Sequence, residues 1–235
     1  MSQPLRLQPS AAVKEKRLAV LLEGRGLSPD DPGLAAIVED AQLLGSLELS
    51  GVRTTWEEVR GSRRAGEGPP EIVALRRAQA AVPSDAPLTV AAIRAWHEAI
   101  AGPVGFRREE RSREDAPPAP PARIAGRLET LEEWLTSPGI RDLSPEQAAG
   151  LACARIVEVL PFDDANGRVA RLAASHVMVR ARLRPPILVA ADGPYLLACL
   201  RAAFRLDTEP LVTLLGEASG RALDVAIQAL ERGEA

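Results

Sequence analysis

The chain has 235 residues, with 29 basic and 32 acidic side chains and a net charge of −3 at neutral pH. Charges of both signs are spread along it, which excludes the basic patch of a nucleic-acid-binding domain and the basic face of a membrane-surface protein. Hydrophobic residues make up 46% of the sequence but aromatic residues only 3%, so the core must be built from Leu, Ala, Val and Ile. Such a core is typical of an all-α protein.

We expect a cytoplasmic protein, because the first residues do not form a charged-then-apolar leader and no apolar run is long enough to span a bilayer. Two cysteines, Cys153 and Cys199, lie inside apolar helical patterns. In that setting they are expected to be buried thiols rather than a disulfide, a metal pair or a nucleophile.

Helical periodicity runs through most of the chain and is interrupted by glycine and proline. Residues 1–10 carry two prolines and no periodicity, which predicts a loose arm. Helices are predicted at residues 11–23, 34–47, 71–82, 88–101, 123–135, 144–159 and 167–182, with further helices starting after Thr54–Thr55, after 192–194 and at Asp207. Loops are predicted at 61–70 and at the proline run 116–121. Ser144, Pro145 and Gln147 form a strong helix start before the nearly continuous apolar run 148–159.

Residues 160–171, LPFDDANGRVAR, have a spacing that indicates chemistry. Ala165, Asn166 and Gly167 are a turn-forming run directly before a helix, so the N–H groups at that helix start lack intrahelical partners and can converge on a phosphate. Arg168 and Arg171 are three residues apart, which places two guanidinium groups on one helix face. The stretch therefore predicts an anion site.

Asp164 adds an oxygen ligand of the kind that Mg²⁺ uses when it is shared between a carboxylate and substrate phosphates. The alternative interpretation of the same residues is an ordinary helix–turn–helix. In that interpretation Asn166 caps the second helix, and Arg168 and Arg171 are solvated.

The same stretch resembles the signature of Fic-domain proteins, which is a histidine, Pro-Phe, any residue, an acid, Gly or Ala, Asn-Gly-Arg, two residues of any type, and Arg. The matching positions are Phe162, Asp164, Ala165, Asn166, Gly167, Arg168 and Arg171. Leu160 occupies the position of the histidine. The resemblance implies an all-α bundle around a central helix–loop–helix. It extends over residues 46–215, predicted as a Fic-like domain, and leaves 11–45 as an N-terminal helical extension and 216–235 as a C-terminal helix.

The resemblance also implies an activity, the transfer of AMP from ATP to a Ser, Thr or Tyr hydroxyl of a target protein, with the motif histidine as the base. Leucine has no lone pair, and a positioned base is worth roughly 10²–10⁴ in rate. The resemblance therefore implies impaired transfer with retained binding of ATP and Mg²⁺. Two alternatives are a transferase with another base and a non-enzymatic module that binds a protein partner. Asp163 would be a weak base when exposed, and His176 lies roughly 15 Å along the next helix.

Residues 46–51 resemble a second Fic-family feature, a helix bearing Ser or Thr, three residues, then Glu and Gly. In the family that glutamate pairs with the second motif arginine and blocks productive ATP binding. Ser46 and Gly51 match, but Ser50 stands in place of the glutamate, which implies that Arg171 is free. Chance similarity is the alternative for so short a pattern.

Upstream of the motif, Trp96-His97-Glu98 and Gly105-Phe106-Arg107 resemble the family's helix that ends in a Gly-Phe-Arg turn. We expect His97 to be structural or exposed rather than catalytic. The resemblance implies a small β-hairpin flap over the site at residues 107–115. That run is densely charged and has little β propensity.

Overall fold

A computed structural model describes residues 10–114 and 116–234 of the chain. The predicted arm, apart from Ser10, lies outside the described residues, as do Asp115 and Ala235. The described residues form ten α-helices and no strand, which confirms the all-α class. The helices are α1 Ala11–Arg25, α2 Pro32–Glu48, α3 Trp56–Ala65, α4 Pro70–Ala80, α5 Val90–Ala101, α6 Ile124–Thr136, α7 Pro145–Val159, α8 Asn166–Arg180, α9 Gly193–Ala203 and α10 Glu209–Arg232, with 3₁₀ turns at Pro121–Arg123, Pro138–Asp142 and Ala190–Asp192.

Helices α7 and α8 form an antiparallel hairpin at the centre of the molecule, as predicted. Helix α7 begins where the sequence indicates. The Ser144 hydroxyl accepts from the Gln147 N–H at 3.2 Å, and the Gln147 side chain accepts from the Ser144 N–H at 2.8 Å. This reciprocal cap satisfies two N–H groups that a helix start leaves open. Both helices are largely buried, and they fix the two ends of the loop that joins them.

Helix α10 crosses the position between residues 215 and 216 where the sequence suggests a boundary. Its first half packs on the central hairpin through Leu211 and Leu215. Its second half packs against α1 and α2, and Lys14 of α1 pairs with Asp224 at 2.6 Å. The two ends of the described chain therefore share one apolar cluster, and the division into segments stays a prediction.

The predicted loop at residues 61–70 is wrong in its first half, because α3 continues to Ala65. Side-chain contacts hold this last turn: within α3, buried Ser62 donates to the Val59 carbonyl at 2.9 Å, and Arg63 pairs with Asp40 of α2 at 2.9 Å. The implied hairpin flap is also not formed within residues 107–114 and 116–120, where no strand occurs. Its consecutive charged side chains have low β propensity.

Helix α2 is pressed against the extended segment 187–189, and this contact places its C-terminal turn beside α8. A Cβ at Gly45 would lie 1.9 Å from the Leu188 carbonyl oxygen, so only glycine allows the approach. The next residue, Ser46, is thereby brought to α8. Cys153 and Cys199 are free and buried, as expected. None of the helices in the described ranges combines the length and apolarity that a membrane crossing requires.

Candidate nucleotide site

Helix α7 ends at Leu160, the residue in the position of the family's histidine. Its backbone is left-handed, with φ 51° and ψ 61°, a conformation that costs a non-glycine residue roughly 1–2 kcal/mol. Two hydrogen bonds to its backbone groups hold it there. The Leu160 N–H donates to the Ile156 carbonyl at 3.0 Å, and the Leu160 carbonyl accepts from Arg107 Nε at 2.6 Å.

Arg107 is a buried anchor for the end of α7, since only 2% of its surface is exposed. Besides Leu160, its guanidinium donates to the carbonyls of Glu109 and Ala119, and its own N–H donates to the Pro161 carbonyl at 3.0 Å. A cation is stabilised at the negative end of a helix. The sequence places Arg107 in the Gly-Phe-Arg turn and at the start of a charged run, and the turn was the one signal of this role.

Asn166 closes the loop between α7 and α8. Its Oδ1 accepts from the Phe162 N–H at 3.0 Å and its Nδ2 donates to the Phe162 carbonyl at 2.8 Å. Both residues are buried, so these bonds fix the loop as a rigid ring. Asn166 therefore shapes the site with its side chain. The N-cap of α8 is Ala165, which is left-handed at φ 63°, and the alternative in which Asn166 caps the helix is wrong.

His97 lies directly against this loop. Its ring stacks on Phe162 with a centroid distance of 3.7 Å and an interplanar angle of 7°, and it is 3% exposed. Nδ1 has no hydrogen-bond partner within the described residues. Burial lowers the pKa of His97 below its ordinary value of 6.5, so the ring is neutral at pH 7. The geometry agrees with a structural role.

The start of α8 presents open N–H groups, as the sequence predicts. The first i→i−4 bond of the helix runs from the Val169 N–H to the Ala165 carbonyl at 3.0 Å, so the N–H groups of Asn166, Gly167 and Arg168 precede it. Gly167 is exposed, and a Cβ there would lie 3.2 Å from an Arg171 nitrogen. Glycine therefore leaves the helix end accessible to an anion.

Two exposed ion pairs flank these N–H groups. Asp164 pairs with Arg168 at 3.0 Å, with 82% of the carboxylate side chain exposed, and Asp163 pairs with Arg111 at 2.8 Å. Exposed pairs contribute about 0–1 kcal/mol. A phosphate oxygen can therefore replace Asp164 as the partner of Arg168 at little cost.

Arg171 is not free, contrary to the expectation from Ser50. Its Nε donates to Ser46 Oγ at 3.0 Å, and its Nη2 donates to the Ser46 carbonyl at 2.8 Å and to Ser50 Oγ at 2.7 Å. All three acceptors are neutral. Burial lowers the pKa of Arg171 to about 10. The guanidinium thus keeps its charge at neutral pH without a carboxylate among these partners.

The three positions of the second resemblance thus have two roles. Ser46 and Ser50 contact Arg171 directly, and Ser50 also donates to the Ser46 carbonyl at 2.9 Å. Gly51 makes no such contact. It follows the end of α2 with a left-handed φ of 77°, which glycine adopts without strain.

No cluster of three or more His, Cys, Asp or Glu side chains that could hold a metal occurs within residues 10–114 and 116–234. Asp164 is a single, exposed carboxylate beside the start of α8. This arrangement fits Mg²⁺, which commonly keeps its waters and is bound through one carboxylate together with substrate phosphates.

A family model for the Fic/DOC family matches residues 87–178 of the chain. Among curated proteins, the chain is similar to "Protein adenylyltransferase Fic" of Drosophila erecta, with 30% identity over 112 residues that cover 48% of this chain and 23% of the relative. The protein of the same name in Drosophila willistoni is 26% identical over 163 residues, which cover 67% of this chain and 33% of the relative. The chain thus spans about a quarter to a third of these relatives.

Solved structures share its fold. A Fic domain containing signaling protein from Bacteroides thetaiotaomicron superposes with a TM-score of 0.73 at 20% identity and covers 94% of this chain and 98% of its own. Fic-1 from C. elegans superposes with a TM-score of 0.71 at 20% identity, and the match covers 95% of this chain and 74% of Fic-1. A variant of IbpAFic2 in complex with adenylylated Cdc42 gives a TM-score of 0.50 at 13% identity and covers 92% and 71%. Together with the motif loop, these likenesses show that residues 87–178 are similar to the Fic/DOC family and that the chain has the fold of the solved Fic structures.

Proposed function

We propose that this protein binds ATP at the start of α8 and has little or no AMP-transferase activity. The observation that carries the proposal is a complete anion site beside a leucine at position 160. The similarity of this chain to proteins named protein adenylyltransferase supports ATP as the nucleotide.

The binding half of the proposal rests on charge. The N–H groups of Asn166, Gly167 and Arg168 lie at the positive end of a 15-residue helix. Arg171 is a half-buried cation whose partners are neutral oxygens, so a phosphate that replaces the Ser50 hydroxyl would gain a charge-assisted hydrogen bond. Asp164 would hold Mg²⁺ there, and that ion would supply neutralisation of phosphate charge.

The impaired half rests on the lack of a proton acceptor. Leu160 has none. The Asp163 carboxylate is paired with Arg111, and His97 is buried against Phe162 with its ring stacked. A target hydroxyl attacking the α-phosphate would therefore have to lose its proton without a positioned base, which is expected to reduce the rate by roughly 10²–10⁴.

The complex of an IbpAFic2 variant with adenylylated Cdc42 supports a protein as the partner of this chain too. In our proposal that partner is bound without efficient modification. Binding of a nucleotide then serves recognition or regulation of the partner.

Binding is tested by thermal unfolding with millimolar ATP and Mg²⁺. A ligand that binds only the folded state raises the apparent stability by RT ln(1 + [L]/Kd), so the melting temperature should rise. The variant Arg168→Ala should reduce the rise, and Arg180→Ala, at the other end of α8, is the matched control. The ATP concentration should be about 5 mM, which is high enough to reveal even a millimolar affinity. An unchanged melting temperature at that concentration would refute the binding half of the proposal.

Transfer is tested with labelled ATP and cell lysate on the wild type, Leu160→His and Leu160→Gln. We expect an unlabelled lysate with the wild type, and labelling that increases by about a hundredfold or more with Leu160→His, because the imidazole restores the base. Leu160→Gln introduces a polar side chain of similar size whose amide is not basic at neutral pH, so it should not label the lysate. Strong labelling by the wild type would favour a transferase that uses another base.

A further inference from the structure

A groove of about 730 Å³ lies at the C-terminal end of α8, at the opposite end of that helix from the nucleotide site. It is bounded by α2, the segment after α4, α5 and the second half of α8, and we call it the α8 C-terminal groove. None of the nucleotide-site residues lines it. Its volume lies within the range of about 300–1,000 Å³ that is typical of small-molecule sites.

The walls of the groove carry apolar and polar surface in similar amounts. Its partly exposed apolar side chains are Val82 after α4, Val179 of α8, and Leu183 and Pro185 after α8, whereas Val38 and Trp96 are each only 2% exposed. These partly exposed side chains provide an apolar surface for part of a ligand. Small-molecule sites typically combine such walls with a few polar groups that fix orientation.

Ser175 provides a polar group of that kind. It is 8% exposed, it lines the groove, and its hydroxyl makes no hydrogen bond to another residue in the described part of the chain. The neighbouring His176 is paired, since its Nε2 lies 2.8 Å from the Ala86 carbonyl oxygen. The Ser175 hydroxyl is thus available to a ligand.

The charge at the mouth of the groove is positive. Arg182 and Arg184 line it, and neither forms an ion pair with any residue in the two described ranges. Of the two acids that line it, Glu39 is paired with Arg63 at 2.9 Å. Within the described residues, the unpaired charges that line the groove are therefore one carboxylate, Asp30, and two guanidinium groups. Arg182 is fixed in a left-handed turn, φ 65°, with its N–H on the Val179 carbonyl at 2.9 Å.

From these features we propose that the α8 C-terminal groove binds a small amphiphilic carboxylate. Its apolar body lies against Val82, Val179 and Leu183, its carboxylate pairs with Arg182 and Arg184, and Ser175 donates to a polar atom of the ligand. This site is separate from the nucleotide site and does not depend on the proposed function.

The test uses 2-naphthoate as the probe, titrated into the full chain by isothermal calorimetry, with uncharged 2-naphthalenemethanol as the matched compound. We expect the carboxylate to bind about tenfold or more tightly than the alcohol, because paired charges strengthen hydrogen bonds. The double variant Arg182→Glu/Arg184→Glu should lower the affinity for 2-naphthoate by about tenfold or more, since it places like charges together. The matched control is Arg127→Glu on α6, which is exposed and does not line the groove, and it should leave the affinity unchanged.

The variant Ser175→Ala removes only the unpaired hydroxyl and should weaken binding of 2-naphthoate by about threefold or more. Circular dichroism of each variant reports whether the helices are retained. No heat of binding at millimolar 2-naphthoate would overturn the proposal. Equal affinity for the acid and the alcohol, or equal losses in the double variant and in Arg127→Glu, would overturn the assignment of a carboxylate.

Discussion

Replacing Ser50 with glutamate should stabilise the protein and weaken its binding of ATP at the same time. Burial lowers the pKa of Arg171 from 12.5 to about 10, so the charged form of the guanidinium is less well solvated than in water. Ser50 Oγ lies 2.7 Å from the guanidinium, and residue 50 is exposed, so a longer side chain has room. A carboxylate there should recover about 1 kcal/mol of this cost, the upper end for an exposed pair.

That gain should raise the melting temperature by about 2–4 °C for a chain of this size. Bound phosphate must now displace a carboxylate from Arg171, so the affinity for ATP should fall by about tenfold, measured by competition with a fluorescent ATP analogue. Ser50→Gln is the matched control, because it has the same length without the charge. If Ser50→Glu and Ser50→Gln give the same melting temperature and affinity, the argument from the buried charge of Arg171 is refuted.

Two further predictions concern the support of the loop. Arg107→Leu should lower the free energy of unfolding, measured in urea, by about 3 kcal/mol or more, because it leaves several buried carbonyls unpaired. The control is Arg108→Leu at the exposed neighbouring residue, which should change the free energy of unfolding little. Equal losses in the two variants would contradict the role of Arg107. Burial lowers the pKa of both His97 and His176 from 6.5, so the unfolded chain takes up protons that the folded chain refuses. The free energy of unfolding should be highest above pH 6.5 and fall as the pH drops below it. His97→Phe, which keeps a ring against Phe162, should make that fall shallower. An unchanged dependence of the free energy on pH would contradict the lowered pKa of His97.

The sequence predicts those parts of the fold and site that are local in the chain. The cap at Ser144 and Gln147, the turn before α8 and the open N–H groups at Gly167 all depend on residues within four positions of one another. Local backbone chemistry alone determines such features. The same holds for the buried apolar runs of α7 and α8, which identify the central hairpin.

The features that the sequence did not predict depend on residues distant in the chain. The hydrogen bonds from Arg171 to Ser46 and Ser50 join residues more than 120 positions apart. The pattern of residues 46–51 aligned Ser50 with a glutamate and implied a free arginine. It could not show that serine hydroxyls and a backbone carbonyl would reach the guanidinium. Arg107 was likewise placed in a charged run, whereas its side chain enters the core at the end of α7.

The support of the motif loop explains how an anion site can persist beside Leu160. The loop is held by the side chains of Arg107, Asn166 and His97 and by the buried ring of Phe162. Position 160 contributes only backbone groups to this support, through its N–H and its carbonyl. Its side chain can therefore change without loss of the loop, which is why Leu160→His is expected to fold and to separate a missing base from a distorted site.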